Sequence, residues 1–300
     1  MNPQYSALAP LLRQTLAAFA LMATILAVNN ARATACDTPT VLRFSMAPQN
    51  NAARDLAELQ PLLTSLEATL GIPVQVVTPP SYDAVVEGLI SGAVHLARLG
   101  PAGYVSARKQ DADITPFASY HKKANAYQEA GAFYYALLIV RDDAPFSDIA
   151  ALRGATLALV DPGSTSGSLV PRRVFSKVIE RPLERYFSRI LYTGSHAQSA
   201  QKVAEGQLDA AFVGSSNLAT YLLTTPNPNL SPFRILWRSQ PIPLDPFVYR
   251  GQLCADIVKK IRIAFFGKDG KQNQALLDNL HATRFVPVTD ADYDIVRSMQ

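Results

Sequence analysis

Short apolar runs alternate along the chain with stretches whose apolar residues recur every three to four positions, the pattern of strands alternating with amphipathic helices. Val41-Leu42-Arg43-Phe44-Ser45-Met46 alternates as a strand, and Ala53 to Leu70 carries helical spacing, with Pro61 as a candidate break and Gly71 as its stop. Ile72 to Val77 reads as a second strand, about Ser81 to Ser91 as a helix, and Ala93 to Leu99 as a third strand closed by Gly100-Pro101. That order implies a parallel sheet. Phe133 to Val140 is a dense strand, after which the rhythm restarts: a helix at Asp148 to Leu152, a strand at Ala155 to Val160, and helix-compatible composition from Arg172 to Glu180. A strand at Arg189 to Tyr192, a helix at Ala197 to Glu205 and a strand at Leu208 to Val213 follow. Phe233 to Trp237 leads into Pro241-Ile242-Pro243-Leu244-Asp245-Pro246, whose prolines fit a crossing strand and exclude a helix. The expected object is an α/β protein of two lobes joined by two crossing segments: residues 36–137 and 245–300 form the first lobe and 138–244 the second. A cleft between such lobes is a natural small-ligand site, because strand ends and helix N-termini converge there.

Residues 1–35 stand apart from this pattern. Arg13 precedes an apolar run from Leu16 to Val28, and Ala33-Thr34-Ala35 supplies a small-residue cleavage pattern, so the segment reads as a secretory signal. No later stretch approaches the roughly 18 uninterrupted apolar residues of a membrane span. Without residues 1–35 the chain loses Arg13 and Arg32 and no acid, leaving 26 basic against 24 acidic side chains. That near balance, with no long Lys/Arg run, argues against a nucleic-acid surface. Two cysteines, Cys36 and Cys254, exclude a disulfide scaffold and a Cys-rich metal site. An oxidising compartment permits their pairing; Cys36 at the cleavage point is also a candidate lipid anchor, although Ala33 is a weaker lipoprotein signal than leucine; and Cys254 as a buried free thiol is the plainest alternative.

Candidate chemistry concentrates in Asp161-Pro162-Gly163-Ser164-Thr165-Ser166-Gly167-Ser168-Leu169-Val170-Pro171, four hydroxyls and two glycines between a strand and a helix. A helix opening at Ser164 to Ser166 offers unpaired N–H groups, a positive dipole end and hydroxyl donors to one anion, without lysine or arginine. One serine would suffice to cap the helix, and three consecutive hydroxyls exceed that need. The chain has no P-loop pattern, no H-E-x-x-H and no paired-Cys motif, and no metal or other cofactor is expected.

With Asp161-Pro162, Ser164-Thr165-Ser166-Gly167 and Leu169-Val170-Pro171 in view, the chain resembles the periplasmic substrate-binding proteins of phosphate/phosphite/phosphonate ABC transporters, which have the two-lobed type II binding-protein fold. Weaker matches fall in order at Ser81 to Gly88, Tyr134 to Val140, Gly194-Ser195-His196 and Ile242 to Pro246. The resemblance implies a cleft lined by Ser164, Thr165, Ser166, Gly167, Tyr82, Tyr134, His196 and Asp245. Taken singly, each tyrosine also fits a core position with its hydroxyl at the rim, His196 a satisfied histidine, and Asp245 an Asp-Pro turn. Gly100-Pro101 with Tyr104 reads as a supporting turn, and Gln49, Asn50 and Asn51 as cleft or helix-cap candidates. Asp245 suits a ligand that carries a proton or an ammonium to donate; relatives that take aminoalkyl phosphonates use a second acid in the loop corresponding to Val213-Gly214-Ser215-Ser216-Asn217, and that loop has none, which favours phosphate, phosphite or a small alkyl phosphonate, with other oxyanions as alternatives.

The resemblance thus implies a secreted periplasmic receptor, monomeric and non-catalytic, that delivers a phosphorus oxyanion to a permease and an ATPase carried on separate chains. Two other functions are weighed against it. One is a ligand-binding sensor component for signalling. The other is a phosphate-ester hydrolase, against which Gly163-Ser164-Thr165-Ser166-Gly167 counts, because threonine stands where a nucleophile elbow needs serine.

Overall fold

The computed structural model describes residues 36–48, 52–225, 233–267 and 274–300. The expected secretory signal and Gln49, Asn50 and Asn51 lie outside them. Thr38–Gln300 forms one compact unit. Its first stretch runs β1 (Leu42–Met46), α1 (Ala52–Leu70), β2 (Val74–Val77), α2 (Tyr82–Ser91), β3 (Leu96–Arg98), α3 (Pro101–Gln110), β4 (Thr115–Lys122) and β5 (Phe133–Tyr134). Next come β6 (Ala136–Arg141), β7 (Thr156–Leu159), α4 (Ser176–Val178), β8 (Arg189–Tyr192), α5 (His196–Ala204), β9 (Ala210–Gly214), α6 (Ser215–Thr224) and β10 (Phe233–Arg238). The chain closes with β11 (Ile242–Pro243), β12 (Phe247–Tyr249), α7 (Ala255–Phe266), α8 (Gln274–Asn279), β13 (Ala282–Pro287) and α9 (Asp294–Arg297).

These strands form two sheets, β13-β4-β12-β3-β1-β2 and β10-β6-β9-β7-β8, the two lobes of a type II binding-protein fold. The short antiparallel ladder of β5 and β11, Tyr134 opposite Ile242, ties the two crossings together between them. Each sheet is parallel at one end: β1 pairs in parallel with the edge strand β2 and with β3, and β7 with the edge strand β8 and with β9. The parallel pairing expected of the first three strands is present, while β12 joins antiparallel to β3 and β4, β13 antiparallel to β4, and β6 antiparallel to β9 and β10, so each sheet as a whole is mixed. The reason is that β12 and β6 each enter their sheet from a crossing rather than from a βα unit.

The density of Phe133 to Val140 also has a cause. In β6, Leu138 and Val140 enter one apolar cluster with Leu157, Phe175 and Phe212, while Leu137 and Ile139 enter another with Ala158, Val203 and Val213. A strand buried on both faces shows no alternation. The expected single strand breaks at Tyr135, whose N–H donates to Ser215 Oγ at 3.0 Å and whose carbonyl accepts from Ser215 N at 2.9 Å. That diversion separates the crossing from the second sheet.

Helix α1 runs unbroken through Pro61. An interior proline costs about 3 kcal/mol, but Leu59, Leu62, Leu63 and Leu66 on the same helix are all buried in the first lobe's core, worth about 1.5–3 kcal/mol each. Burial wins. The helix expected at Asp148 to Leu152 contracts to one 3₁₀ turn, Ala150–Leu152. Ile257, Ile261, Phe265, Leu276 and Leu277 from α7 and α8 pack into the same cluster as Phe44, Leu62 and Phe247. Neither Cys36 nor Cys254 is a free thiol. Among the described residues no helix is long and apolar enough to cross a membrane.

Candidate functional site

Between the two sheets lies a cavity with about 50 Å³ open to the centres of water molecules. Ser164, Thr165 and His196 line it from the second lobe, Glu58, Tyr82, Arg98, Gly100, Tyr120 and Lys122 from the first, and Tyr134 and Asp245 from the crossings. A larger open groove on the first lobe, bordered by Arg108, Tyr249, Lys259, Arg262 and Phe266, shares none of these residues.

The hydroxyl-rich segment opens a run of wide helical turns, Thr165–Leu169 and Pro171–Phe175, that continues into α4. Ser164 is its cap: the Oγ accepts from Gly167 N at 3.1 Å and the carbonyl accepts from Leu169 N at 3.0 Å. The N–H groups of Thr165 and Ser166 lie in the first turn, where no preceding carbonyl can receive them, so they are open to an anion. Gly167 does not share that role. Its N–H is committed to Ser164 and its carbonyl accepts from Val160 N at 3.1 Å. A Cβ there would stand 2.3 Å from Val160 Cγ2, so the glycine lets the helix start pack on the strand. Gly163 serves a similar close approach, since a Cβ on it would meet Tyr82 Cβ at 2.9 Å across the cleft.

The two remaining hydroxyls differ. Thr165 Oγ1 accepts from Ala102 N, at the start of α3 in the first lobe, at 2.8 Å, a buried hydrogen bond that joins the lobes. Tyr82 Oη is buried with no hydrogen-bond partner, and Ser166 Oγ is buried with none of good geometry, the Tyr134 hydroxyl being its polar neighbour. Burial raises the Tyr134 phenol, the Asp245 charge adds to the rise, and the Ser166 and Thr165 hydroxyls temper it. Tyr134 and Tyr82 are therefore neutral donors. Buried polar atoms left open this way cost about 1–3 kcal/mol each; Tyr82 lines the cavity, and Ser166 follows its lining residues Ser164 and Thr165, the kind of arrangement a ligand completes.

His196 begins α5 behind the cap Ser195, whose side chain accepts from Gln198 N. Its Nδ1 accepts from Gly214 N at 3.1 Å, leaving Nε2 as the protonated nitrogen and a donor. Burial lowers its pKa to about 3. Between that value and the ordinary 6.5 the unfolded chain binds a proton that the folded chain refuses, so this contribution is complete above pH 6.5 and is lost as pH falls. His196→Asn, whose carboxamide oxygen can stand where Nδ1 does, is expected to gain about 2 kcal/mol on wild type between pH 7.5 and pH 5. Melting curves at the two pH values check this; an equal difference at both would place a charged histidine in the fold.

Asp245 sits between β11 and β12 on a pinned backbone: its carbonyl accepts from Ser119 Oγ at 3.0 Å, the Leu244 carbonyl from Tyr293 Oη at 3.1 Å, and the Pro246 carbonyl from Leu99 N at 3.1 Å. Desolvation raises its pKa to about 6, against the opposing pull of Arg98 and Lys122. At neutral pH it is an ionised acceptor facing an anion site.

Arg98, Lys122, Tyr120 and Glu58 were not singled out by the sequence reasoning. Arg98 is 4% exposed and its Nε has no partner; Lys122 is 7% exposed and donates from Nζ to the Leu280 carbonyl at 2.6 Å. The hydroxyl-rich segment itself carries no lysine or arginine, as expected, and the cavity's two cations come from the first lobe. The loop after β9 contributes Ser216 and Asn217 to the wall, and the acid it lacks has a partly buried counterpart in Glu58 on α1. Among the described residues no group of three His, Cys, Asp or Glu side chains is arranged to hold a metal.

The model of the family described as "ABC transporter, phosphonate, periplasmic substrate-binding protein" matches residues 44–293. The phosphate-import protein PhnD of Mycolicibacterium smegmatis is 29% identical over 277 residues, covering 86% of this chain and 84% of that one. The phosphonates-binding periplasmic protein of Escherichia coli is 29% identical over 246 residues, covering 80% and 70%. Among solved structures, the binding-protein component of a phosphonate ABC transporter from Pseudomonas aeruginosa superposes with a TM-score of 0.78 at 26% identity, covering 88% of this chain and 86% of that one. PhnD1 of Prochlorococcus marinus, solved with methylphosphonate, shares the fold with a TM-score of 0.75 at 18% identity, covering 87% and 97%. With its fold, its interlobe cavity and a family match over most of its length in agreement, the chain belongs to the periplasmic substrate-binding proteins of phosphonate ABC transporters.

Proposed function

We propose that this chain captures a phosphorus oxyanion of the size of phosphate, phosphite or methylphosphonate in the interlobe cavity and delivers it to a permease driven by an ATPase, both separate chains. The observation that carries the reading is the pair of buried, unpartnered donors Tyr82 Oη and Arg98 Nε on the wall of a cavity of about 50 Å³, with the Ser166 hydroxyl next to its lining residue Thr165. In this reading the Thr165 and Ser166 N–H groups, the Ser166 hydroxyl, Tyr82, Tyr134 and His196 Nε2 donate to the ligand's oxygens. Asp245 accepts from a protonated one, an arrangement that disfavours sulfate, which carries no proton at neutral pH.

Residues 36–137 with 245–300, and 138–244, act as the two lobes that close on the ligand; residues 1–35 direct export to the periplasm. The protein works as a monomer and performs no turnover. What supports a binder over a hydrolase is His196, whose Nδ1 is held by a backbone N–H rather than by a carboxylate and whose low pKa leaves it no general-base role. A thermal-shift series tests ligand class: a species at a hundred times its Kd raises stability by about 2.7 kcal/mol. Phosphorus oxyanions are expected to raise the melting temperature and sulfate is not. Stimulation of the partner ATPase by ligand-loaded protein tests delivery; its absence, with binding intact, would turn the reading to a sensor.

A further inference from the structure

The first lobe's wall of the cavity sets two cations, Arg98 and Lys122, beside two acids, Glu58 and Asp245, and leaves one cationic donor open. Arg98 ends β3 and Lys122 ends β4, and β12 lies between these strands in the sheet, so Asp245, two residues before β12, stands between the two cations. Both cations are buried, Arg98 has an unmatched Nε, and Lys122 uses one of its donors on the Leu280 carbonyl. A buried guanidinium with an open donor needs an acceptor, and the cradle that holds the phosphorus oxygens is on the opposite lobe.

We propose that the cavity takes a phosphonate bearing a carboxylate on an arm of one or two carbons, with the phosphonate in the Ser164–Ser166 cradle and the carboxylate between Arg98 and Lys122. This rests on the phosphorus-oxyanion reading above. The planar guanidinium fork matches a carboxylate in two parallel hydrogen bonds, and a lysine beside it adds a point charge. Asp245, on which both cations act, keeps its role as acceptor from the phosphonate's protonated oxygen. The space is adequate: about 50 Å³ of water-centre volume holds roughly three to five waters, which a tetrahedral oxyanion with a short arm fills. Leu244, Tyr82 and Tyr134 offer the arm an apolar passage along the wall. An alkyl arm leaves Arg98 Nε without an acceptor, its charge answered only by Asp245, Glu58 and Asp55. An ammonium arm meets two buried cations, with only the partly buried Glu58 and Asp245 in its favour.

The test is calorimetric titration of the wild-type protein with phosphonoacetate, its neutral isostere phosphonoacetamide, ethylphosphonate, aminoethylphosphonate and methylphosphonate, followed by the same series on Arg98→Met. Phosphonoacetate is expected to bind at least tenfold more tightly than phosphonoacetamide and ethylphosphonate, and this ratio is expected to fall toward one in Arg98→Met. A wild-type ratio near one, or tighter binding of aminoethylphosphonate, overturns the proposal even if the variant does not fold. A ratio that survives in Arg98→Met overturns it as well, because Arg98 then acts on the phosphonate common to all the ligands. If methylphosphonate binds and phosphonoacetate gains nothing, only the carboxylate subsite falls; if no phosphorus species binds, the oxyanion reading falls with it.

Discussion

Ser166→Ala is expected to weaken binding of the phosphorus oxyanion about ten- to a hundredfold while leaving the ligand-free melting temperature unchanged or slightly raised. The affinity loss follows from removing a hydrogen bond to a charged group, worth about 1.5–3 kcal/mol. The stability result follows from the state of that hydroxyl without ligand: Ser166 Oγ is buried and its contact with the Tyr134 hydroxyl is not a well-formed hydrogen bond, so removing it relieves a desolvated group at the cost of a weak contact. Ser164→Ala is its counterpart. Ser164 caps the helical run through Gly167 N, so its loss is expected to cost about 1 kcal/mol of stability, or about 2–4 °C in a chain of this size. Titration and melting of the two variants side by side separate them; a fall in the melting temperature of Ser166→Ala would mean that its hydroxyl is a structural bond.

Asp245→Asn is expected to lower affinity about ten- to a hundredfold at pH 7.5 and hardly at all at pH 5. The carboxylate accepts from a protonated ligand oxygen only while ionised, and its pKa is raised to about 6 by burial, against the opposing charges of Arg98 and Lys122. Below pH 6 the wild-type side chain takes up a proton and its advantage over asparagine shrinks. The same shift acts on the ligand-free fold with the opposite sign to that of His196. Between about pH 4 and pH 6 folded Asp245 holds a proton that the unfolded chain releases, so its contribution to stability falls as pH rises through that window. A wild-type-to-variant affinity ratio that does not change between pH 5 and pH 7.5 would show that Asp245 does not act as an ionised acceptor.

The alternation of strands and helices was legible because each βα unit leaves a change of apolar period in contiguous residues, and β8 and α5 lie within one residue of where that period places them. What period could not show is direction: β6 and β12 read like any other apolar strand, and only their entry from the crossings makes them antiparallel. The hydroxyl cradle was legible because all its groups fall within a few residues of one strand-to-helix turn. The cations were not, because Arg98 and Lys122 come from different strands and a single charge at a strand end looks like a solvated one. A signal was present in Leu96-Ala97-Arg98-Leu99, a charge amid apolar residues where a parallel strand ends, which is where α/β sheets place their ligands. Glu58, on the long helix α1, gives no such sign in its spacing.

The most direct measurement is isothermal titration of residues 36–300 with phosphate, phosphite, methylphosphonate, aminoethylphosphonate and sulfate in one buffer at neutral pH. The expected result is one-to-one binding of at least one phosphorus oxyanion with no heat from sulfate, and loss of that affinity in Ser166→Ala. Silence toward every phosphorus species, or sulfate bound as tightly as phosphate, would contradict the assignment of the interlobe cavity to a protonated phosphorus oxyanion.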